Sequence, residues 1–208
     1  MALDSFSLTF HSGEERYPAT GVLDGAAIRM RLMDSSDQER VLRFARSLPP
    51  HDLVFLRRDI TRGDQVAEWI RTIQAGDVTT LLLVDADEHV VGYGTVDRGR
   101  LPWSRHVAEL RVLVAPMARG KGVGRRLTEE ALRIAWAAGI EKVVAQMTPD
   151  QKQAIGVFRT LGFQPEALFR AHVRGRDGER HDLVMLSQNV ARFSATLRAY
   201  GVREALDG

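Results

Sequence analysis

Residues 112–132 read VLVAPMARGKGVGRRLTEEAL, and the reading of this stretch decides the fold. An apolar run ends at Pro116. Three glycines then fall at alternate positions, Gly120, Gly122 and Gly124, among Arg119, Lys121, Arg125 and Arg126. Helical periodicity follows through Val123, Leu127, Ala131 and Ile134, and Gly139 suits the helix end. Alternate glycines leave the backbone bare, and the N-terminus of a helix aims its unpaired N–H groups back at them. A strand, a glycine loop and a helix in that order make a cradle for an anion, most often a phosphate.

The flanking pattern supplies the rest of a domain. Phe6, Leu8 and Phe10 alternate, as do Ile28, Met30 and Leu32, and both runs read as strands. Ser35-Ser36-Asp37 offers a cap to a helix with Val41, Leu42, Ala45 and Leu48 inward, stopped by Pro49-Pro50. A second helix carries Val66, Trp69, Ile70 and Ile73 and stops at Gly76. TTLLLVDADEHVVGYGTVDRG (79–99) is two apolar runs about an acidic turn, a hairpin. HVAELRVLVAP (106–116) is the strand before the glycines, and KVVAQM (142–147) is the strand after the long helix. A helix then places Ala154, Ile155, Phe158 and Leu161 inward. ALFRAHVRGRDGERHDLVMLS (167–187) is a long hairpin around Asp177-Gly178. Consecutive strands favour antiparallel pairing and strand–helix–strand units favour parallel pairing. The predicted fold is α/β (α+β): a mixed, mostly antiparallel central sheet with helices on both faces. Residues 1–25 read as an N-terminal extension, 26–187 as the main domain and 188–208 as an amphipathic helical tail with Val190, Phe193 and Leu197 on its stripe.

Composition narrows the function. The 208 residues are 44% hydrophobic and 27% charged, enough for a packed core. With no cysteine, there is no disulfide, no thiolate zinc site and no cysteine nucleophile, which fits a reducing, cytoplasmic setting. The first residues carry acids and no sustained apolar run, and no stretch reaches ~18 apolar residues, so neither a signal peptide nor a membrane span is expected. Net charge is only +2, too mild an excess to argue for nucleic acid. None of the six histidines shows metal-ligand spacing on a recognisable motif, so no metal is expected; His172 and His181 are placed facing across the last hairpin, and surface or core histidines are the expected reading, with a meeting near a substrate cleft the other one.

Two common phosphate motifs fail. The nucleotide P-loop needs a glycine five positions before Gly120, where Ala115 stands, and a Ser or Thr after Gly120-Lys121, where Gly122 stands. The dinucleotide fingerprint G-x-G-x-x-G does not match the G-x-G-x-G spacing or its place past mid-chain. Arg119 to Gly124 reads R-x-x-G-x-G, which resembles the acyl-coenzyme A signature of the GNAT superfamily of N-acetyltransferases. LVAP (113–116) resembles that family's strand and proline before the loop. AIGVFRTLGF (154–163) resembles its later A-x-x-x-Tyr-x-x-x-GF segment. The resemblance covers residues 27–187, with both motifs in the expected element order.

The resemblance implies acetyl-CoA as cosubstrate. Its pyrophosphate is expected on backbone amides of Arg119, Gly120, Lys121, Gly122, Val123, Gly124 and Arg125. The pantetheine is expected along Val112, Leu113 and Val114, where one amide would polarise the thioester carbonyl. Gln151, Ala154 and Phe158 complete the cofactor-binding set. Glu109, on the strand before the loop, is the candidate base that takes the amine proton; a strand salt bridge, to Arg111 or a neighbour, is the other reading of the same residue. The chain departs from the family at Phe158, where a tyrosine often serves as acid to the leaving thiolate, and at Gln151, where asparagine is frequent. The implied function is acetyl transfer to a primary amine, of a small molecule or of a protein lysine, by direct attack in a ternary complex. SLPPHDLVFLRR (47–58) faintly resembles a segment of bacterial protein-lysine acetyltransferases. A catalytically weak acyl-CoA sensor is the alternative that Phe158 keeps open. The tail or the N-terminal extension is expected to cover the domain or to build a homodimer.

Overall fold

The computed structural model describes residues 6–10, 16–54, 56–99, 101–175 and 178–189. Among these the elements run β1 (Phe6–Thr9), β2 (Ala19–Leu23), β3 (Ala26–Leu32), α1 (Gln38–Ser47), α2 (Pro50–Leu53), α3 (Gly63–Gln74), β4 (Val78–Asp85) and β5 (Val90–Asp97). Then come β6 (Val107–Val114), α4 (Val123–Ala137), β7 (Lys142–Met147), α5 (Lys152–Thr160), β8 (Gln164–Arg174) and β9 (Arg180–Asn189). The strands hydrogen-bond in the order β1-β2-β3-β4-β5-β6-β7-β9-β8. The β6–β7 pair is parallel; β1–β2, β2–β3, β3–β4, β7–β9 and β8–β9 are antiparallel. This is the mixed, mostly antiparallel α/β fold that the sequence predicts. The chain forms two compact units, Met1–Thr95 with Arg111–Thr128, and Val96–Leu110 with Glu129–Gly208.

In the first unit, Asp34 caps the helical region, one residue ahead of the expected Ser35-Ser36-Asp37. Its carboxylate accepts the Ser36 N–H at 2.7 Å, and Asp37 accepts the Asp34 N–H at 3.0 Å, a reciprocal capping box. Asp37 is fully buried because Arg31 grips both its oxygens at 2.6 and 2.7 Å. Pro49 ends α1 as expected, but Pro50 starts α2, at a first-turn position where its missing N–H is not needed. α1 buries Val41, Leu42, Phe44 and Ala45, and α3 buries Val66, Trp69 and Ile70. Both helices close on Tyr93 of β5, whose ring meets Phe44 and Trp69 edge-on at centroid distances of 6.2 and 5.2 Å. Burial pushes the Tyr93 phenol up to about 12. Gly92 and Gly94 alternate with Tyr93 and so face the other side. A Cβ at Gly94 would lie 3.2 Å from the Leu127 carbonyl oxygen, and one at Gly92 would lie 2.9 Å from that of Leu113. These two glycines let the start of α4 close on β5, so helices cover both faces here.

In the second unit, the β6–β7 register runs from Val107↔Lys142 to Glu109↔Val144. Phe158 of α5 meets Phe163 edge-on at 4.9 Å. The Gln188 side chain is buried and donates to the Leu161 carbonyl at 2.7 Å. β9 therefore runs to Asn189, two residues into the expected tail; the rest of that tail lies outside the described residues. The inward face of α4 turns from the expected Ile134, which is half-buried, to Leu132 and Ala135, which are buried. His172 does not face His181 across the hairpin. Ala171 adopts a left-handed φ of 48°, and its N–H donates to Asp182 at 2.8 Å, which shifts the hairpin register. Val173 thereby sits opposite His181, and the His172 ring lies on Phe169 at 4.9 Å.

Candidate active site

The glycine loop belongs wholly to the first unit. β6 ends at Val114, and the Ala115 N–H bonds the Val91 carbonyl at 2.8 Å, which fixes where the chain leaves the sheet. Pro116–Ala118 makes one tight helical turn. Gly120 and Gly122 then take φ of 74° and 84°, the left-handed region where a side chain would be strained. Among the described residues nothing lies within 4 Å of a Cβ built on Gly120, and only Phe6, at 3.8 Å, approaches one built on Gly122. Among the described residues the cradle is therefore open, and their packing does not explain its bareness. The Arg126 N–H bonds Gly122 O at 3.0 Å and closes the first turn, so the amides before it precede the helical ladder. Those N–H groups and the positive end of the helix favour an anion. The loop's residues fit a pyrophosphate.

Arg119 and Lys121 of the loop act as tethers. Arg119 pairs with Asp52 of α2, and its Nε donates to the Val114 carbonyl at 3.1 Å. Lys121 pairs with Asp24 in the β2–β3 turn. Sequence reasoning missed both acids. They lie 67 and 97 residues from their partners, and no local pattern marks them.

Along β6, Ala108 and Leu110 are buried, whereas Glu109 and Arg111 are half-buried. Leu113 packs against the cluster that holds Tyr93, Trp69 and Phe44. By strand alternation, Glu109 and Arg111 project to the same side of β6 as Leu113. Glu109 belongs to the second unit and stands three residues before Val112, roughly 10 Å along the strand. Gln151, Ala154 and Phe158 also belong to the second unit. Gln151 stands at the N-cap of α5 and accepts the Thr148 N–H at 3.3 Å. Ala154 is half-buried. Phe158 is 5% exposed, with its ring turned onto Phe163. The Thr148 hydroxyl is buried with no hydrogen-bond partner among the described residues.

Asp85, Asp87 and His89 bring potential ligand atoms within 4.8 Å of one another. Their hairpin turn explains the cluster. The Asp85 carboxylate accepts the Asp87 and His89 N–H groups at 3.0 and 2.8 Å, and so serves the turn. Among the described residues no helix is long and apolar enough to cross a membrane.

The order of strand, glycine loop and helix in the first unit is the one expected of an anion cradle. The acetyltransferase (GNAT) family model matches residues 45–163, more than half of the chain, and the protein belongs to that family. It is 34% identical over 90 residues to YwnH of Bacillus subtilis, covering 43% of this chain and 55% of YwnH. It is 30% identical over 138 residues to the streptothricin acetyltransferase of Streptomyces lavendulae, covering 66% of this chain and 70% of that protein. The chain spans about half the length of the first curated relatives it matches. The fold is shared with a phosphinothricin acetyltransferase from Sinorhizobium meliloti, solved in complex with acetyl-CoA. The TM-score is 0.66 and the identity 22%, over 77% of this chain and 88% of that one.

Proposed function

We propose that the protein transfers the acetyl group of acetyl-CoA to the primary amine of a small molecule, in the cytoplasm. The observation that carries this reading is the open cradle at Gly120 and Gly122, set between β6 and α4 in a chain of the GNAT family. Relatives named for streptothricin and phosphinothricin support a small-molecule acceptor over a protein lysine.

In this reading the amides of Arg119–Arg125 hold the pyrophosphate, and the Val112–Val114 backbone pairs with the pantetheine. Gln151, Ala154 and Phe158 pack against the cosubstrate. Acetyl-CoA supplies an acyl group already activated as a thioester. An alkylammonium has a pKa near ~10.4 and is no nucleophile until it loses a proton. Glu109 takes that proton, directly or through one water. The amine nitrogen then bonds the acyl carbon, the carbon–sulfur bond breaks and the thiolate leaves. A thiol pKa of ~8.5 makes thiolate a tolerable leaving group near neutrality, so Phe158 does not forbid the reaction.

The buried Phe158 ring supports a second reading, a sensor that binds coenzyme A and catalyses little. One assay separates them: thiol release from acetyl-CoA over polyamines, amino acids, aminoglycosides and lysine peptides, beside calorimetric binding. Release with a small amine supports the enzyme. Tight binding with no release across the panel supports the sensor, release with lysine peptides alone overturns the small-molecule acceptor, and no binding overturns both readings.

A further inference from the structure

Glycine loses more backbone freedom on ordering than any other residue, and Gly120 and Gly122 flank Lys121 in the loop. Among the described residues nothing packs where a Gly120 side chain would lie, and only the Phe6 ring comes near that position at Gly122. A loop with no other restraint would lose that freedom each time an anion bound, and its affinity would fall accordingly. Two side chains supply the restraint. Lys121 pairs with Asp24, and Arg119, just before the glycines, pairs with Asp52. All four residues belong to the first unit.

Both acids stand on ordered elements. Asp24 and Gly25 take φ of 50° and 82° between Leu23 and Ala26, which face each other in the β2–β3 register. Two positive φ values in a two-residue connection make a tight hairpin turn that matches the strand twist. Asp52 lies in α2, and its side chain is only 12% exposed. Asp24 precedes the residues that the family model matches, so the Lys121 tether comes from outside that match. Charge and geometry make opposite demands on these acids. A carboxylate near an anion site repels the anion, so charge alone predicts tighter binding when Asp24 or Asp52 is removed. A tether that keeps the glycine backbone in its binding shape predicts weaker binding. The two effects differ in sign, so even a small change in affinity decides between them.

We propose that Asp24 and Asp52 are positioning residues for coenzyme A. They hold Lys121 and Arg119, and so keep the backbone of the glycine loop in its binding shape before the ligand arrives. This rests on the reading of the glycine loop as the pyrophosphate site.

The test is calorimetry with coenzyme A on the full chain, as wild type, Asp24→Asn, Asp52→Asn, Lys121→Gln and the double variant Asp24→Asn/Lys121→Gln. Asparagine keeps the shape of aspartate and tolerates the left-handed φ at position 24. Asp24→Asn should weaken binding about threefold to fivefold, the range open to a partly exposed ion pair. Asp52→Asn, at the more buried acid, should weaken it by about tenfold. In the Lys121→Gln background Asp24→Asn should cost no further affinity, because its partner is gone. A carboxylate that only steadied the fold would lower the melting temperature and show no such coupling in affinity. If Asp52→Asn does not fold, the cycle at Asp24 and Lys121 decides alone. Unchanged or tighter binding in either folded aspartate variant, or equal losses from Asp24→Asn in both backgrounds, overturns the inference and leaves the cosubstrate reading standing. Wild type that binds no coenzyme A overturns the cosubstrate reading, and this inference with it.

Discussion

The glycine loop at 119–125 and the α5 segment at 151–163 are the two stretches that most resemble the family, and they resemble it in different ways. The loop works with its backbone. Gly120 and Gly122 take left-handed φ values with little around them among the described residues, and Arg119 and Lys121 are tied to Asp52 and Asp24. The α5 segment would work with side chains, and there one polar group is missing: Phe158 stands where the family often has tyrosine, and its ring is turned into the core. A backbone site tolerates changes at its neighbours as long as the glycines stay. A side-chain site changes its chemistry with one substitution. The comparison implies that binding should be robust in this protein and that turnover should depend on few groups.

The sharpest break is at Gly122. Gly122→Glu puts a carboxylate into the anion site and forces a side chain onto a φ of 84°. Coenzyme A affinity should fall by roughly 10³-fold or more, since an unpaired like charge faces the phosphate. Calorimetry on a folded variant checks this, and unchanged affinity removes the loop from the site.

Next comes Glu109. Glu109→Gln keeps shape and removes basicity, so kcat should drop about 10²-fold with little change in coenzyme affinity. The deficit should shrink as pH rises toward the amine's own pKa, because free amine then forms without help. Wild-type kcat at pH 7, with chemistry shown to be rate-limiting, would leave Glu109 as a structural carboxylate.

The same contrast explains what was legible in the sequence. The glycine spacing, the helix stripes of α1 and α3 and the β4–β5 hairpin are local patterns, and each element stands where its pattern puts it. β2 was not legible: ATGVL has no alternation, and its Gly21 matters only because β1 comes so close that a Cβ there would meet Ser7 O at 1.9 Å. α2 was hidden because Pro49-Pro50 reads as a stop, although a proline also suits a first turn. Asp24 and Asp52 were invisible because ion pairs across 97 and 67 residues leave no periodic trace. The side-chain half of the candidate site was readable only as residue types on a strand and a helix, since a side chain's role depends on what it faces.

The smallest effect tests the difference between the two stretches most directly. Phe158→Tyr restores the hydroxyl that the family often carries at this position. If Phe158 faced the thiol, the new phenol would protonate the departing thiolate and raise kcat. The structure argues otherwise. The ring is 5% exposed and packs edge-on against Phe163, so the added hydroxyl enters a largely apolar setting. An unpaired buried hydroxyl costs about 1–3 kcal/mol. Phe158→Tyr should therefore lower stability by about 1–2 kcal/mol in a denaturant melt and leave kcat within roughly threefold. A kcat gain of about tenfold or more with unchanged stability would mean that α5 offers this position to the cosubstrate, and the two stretches would then be alike in all but one oxygen atom.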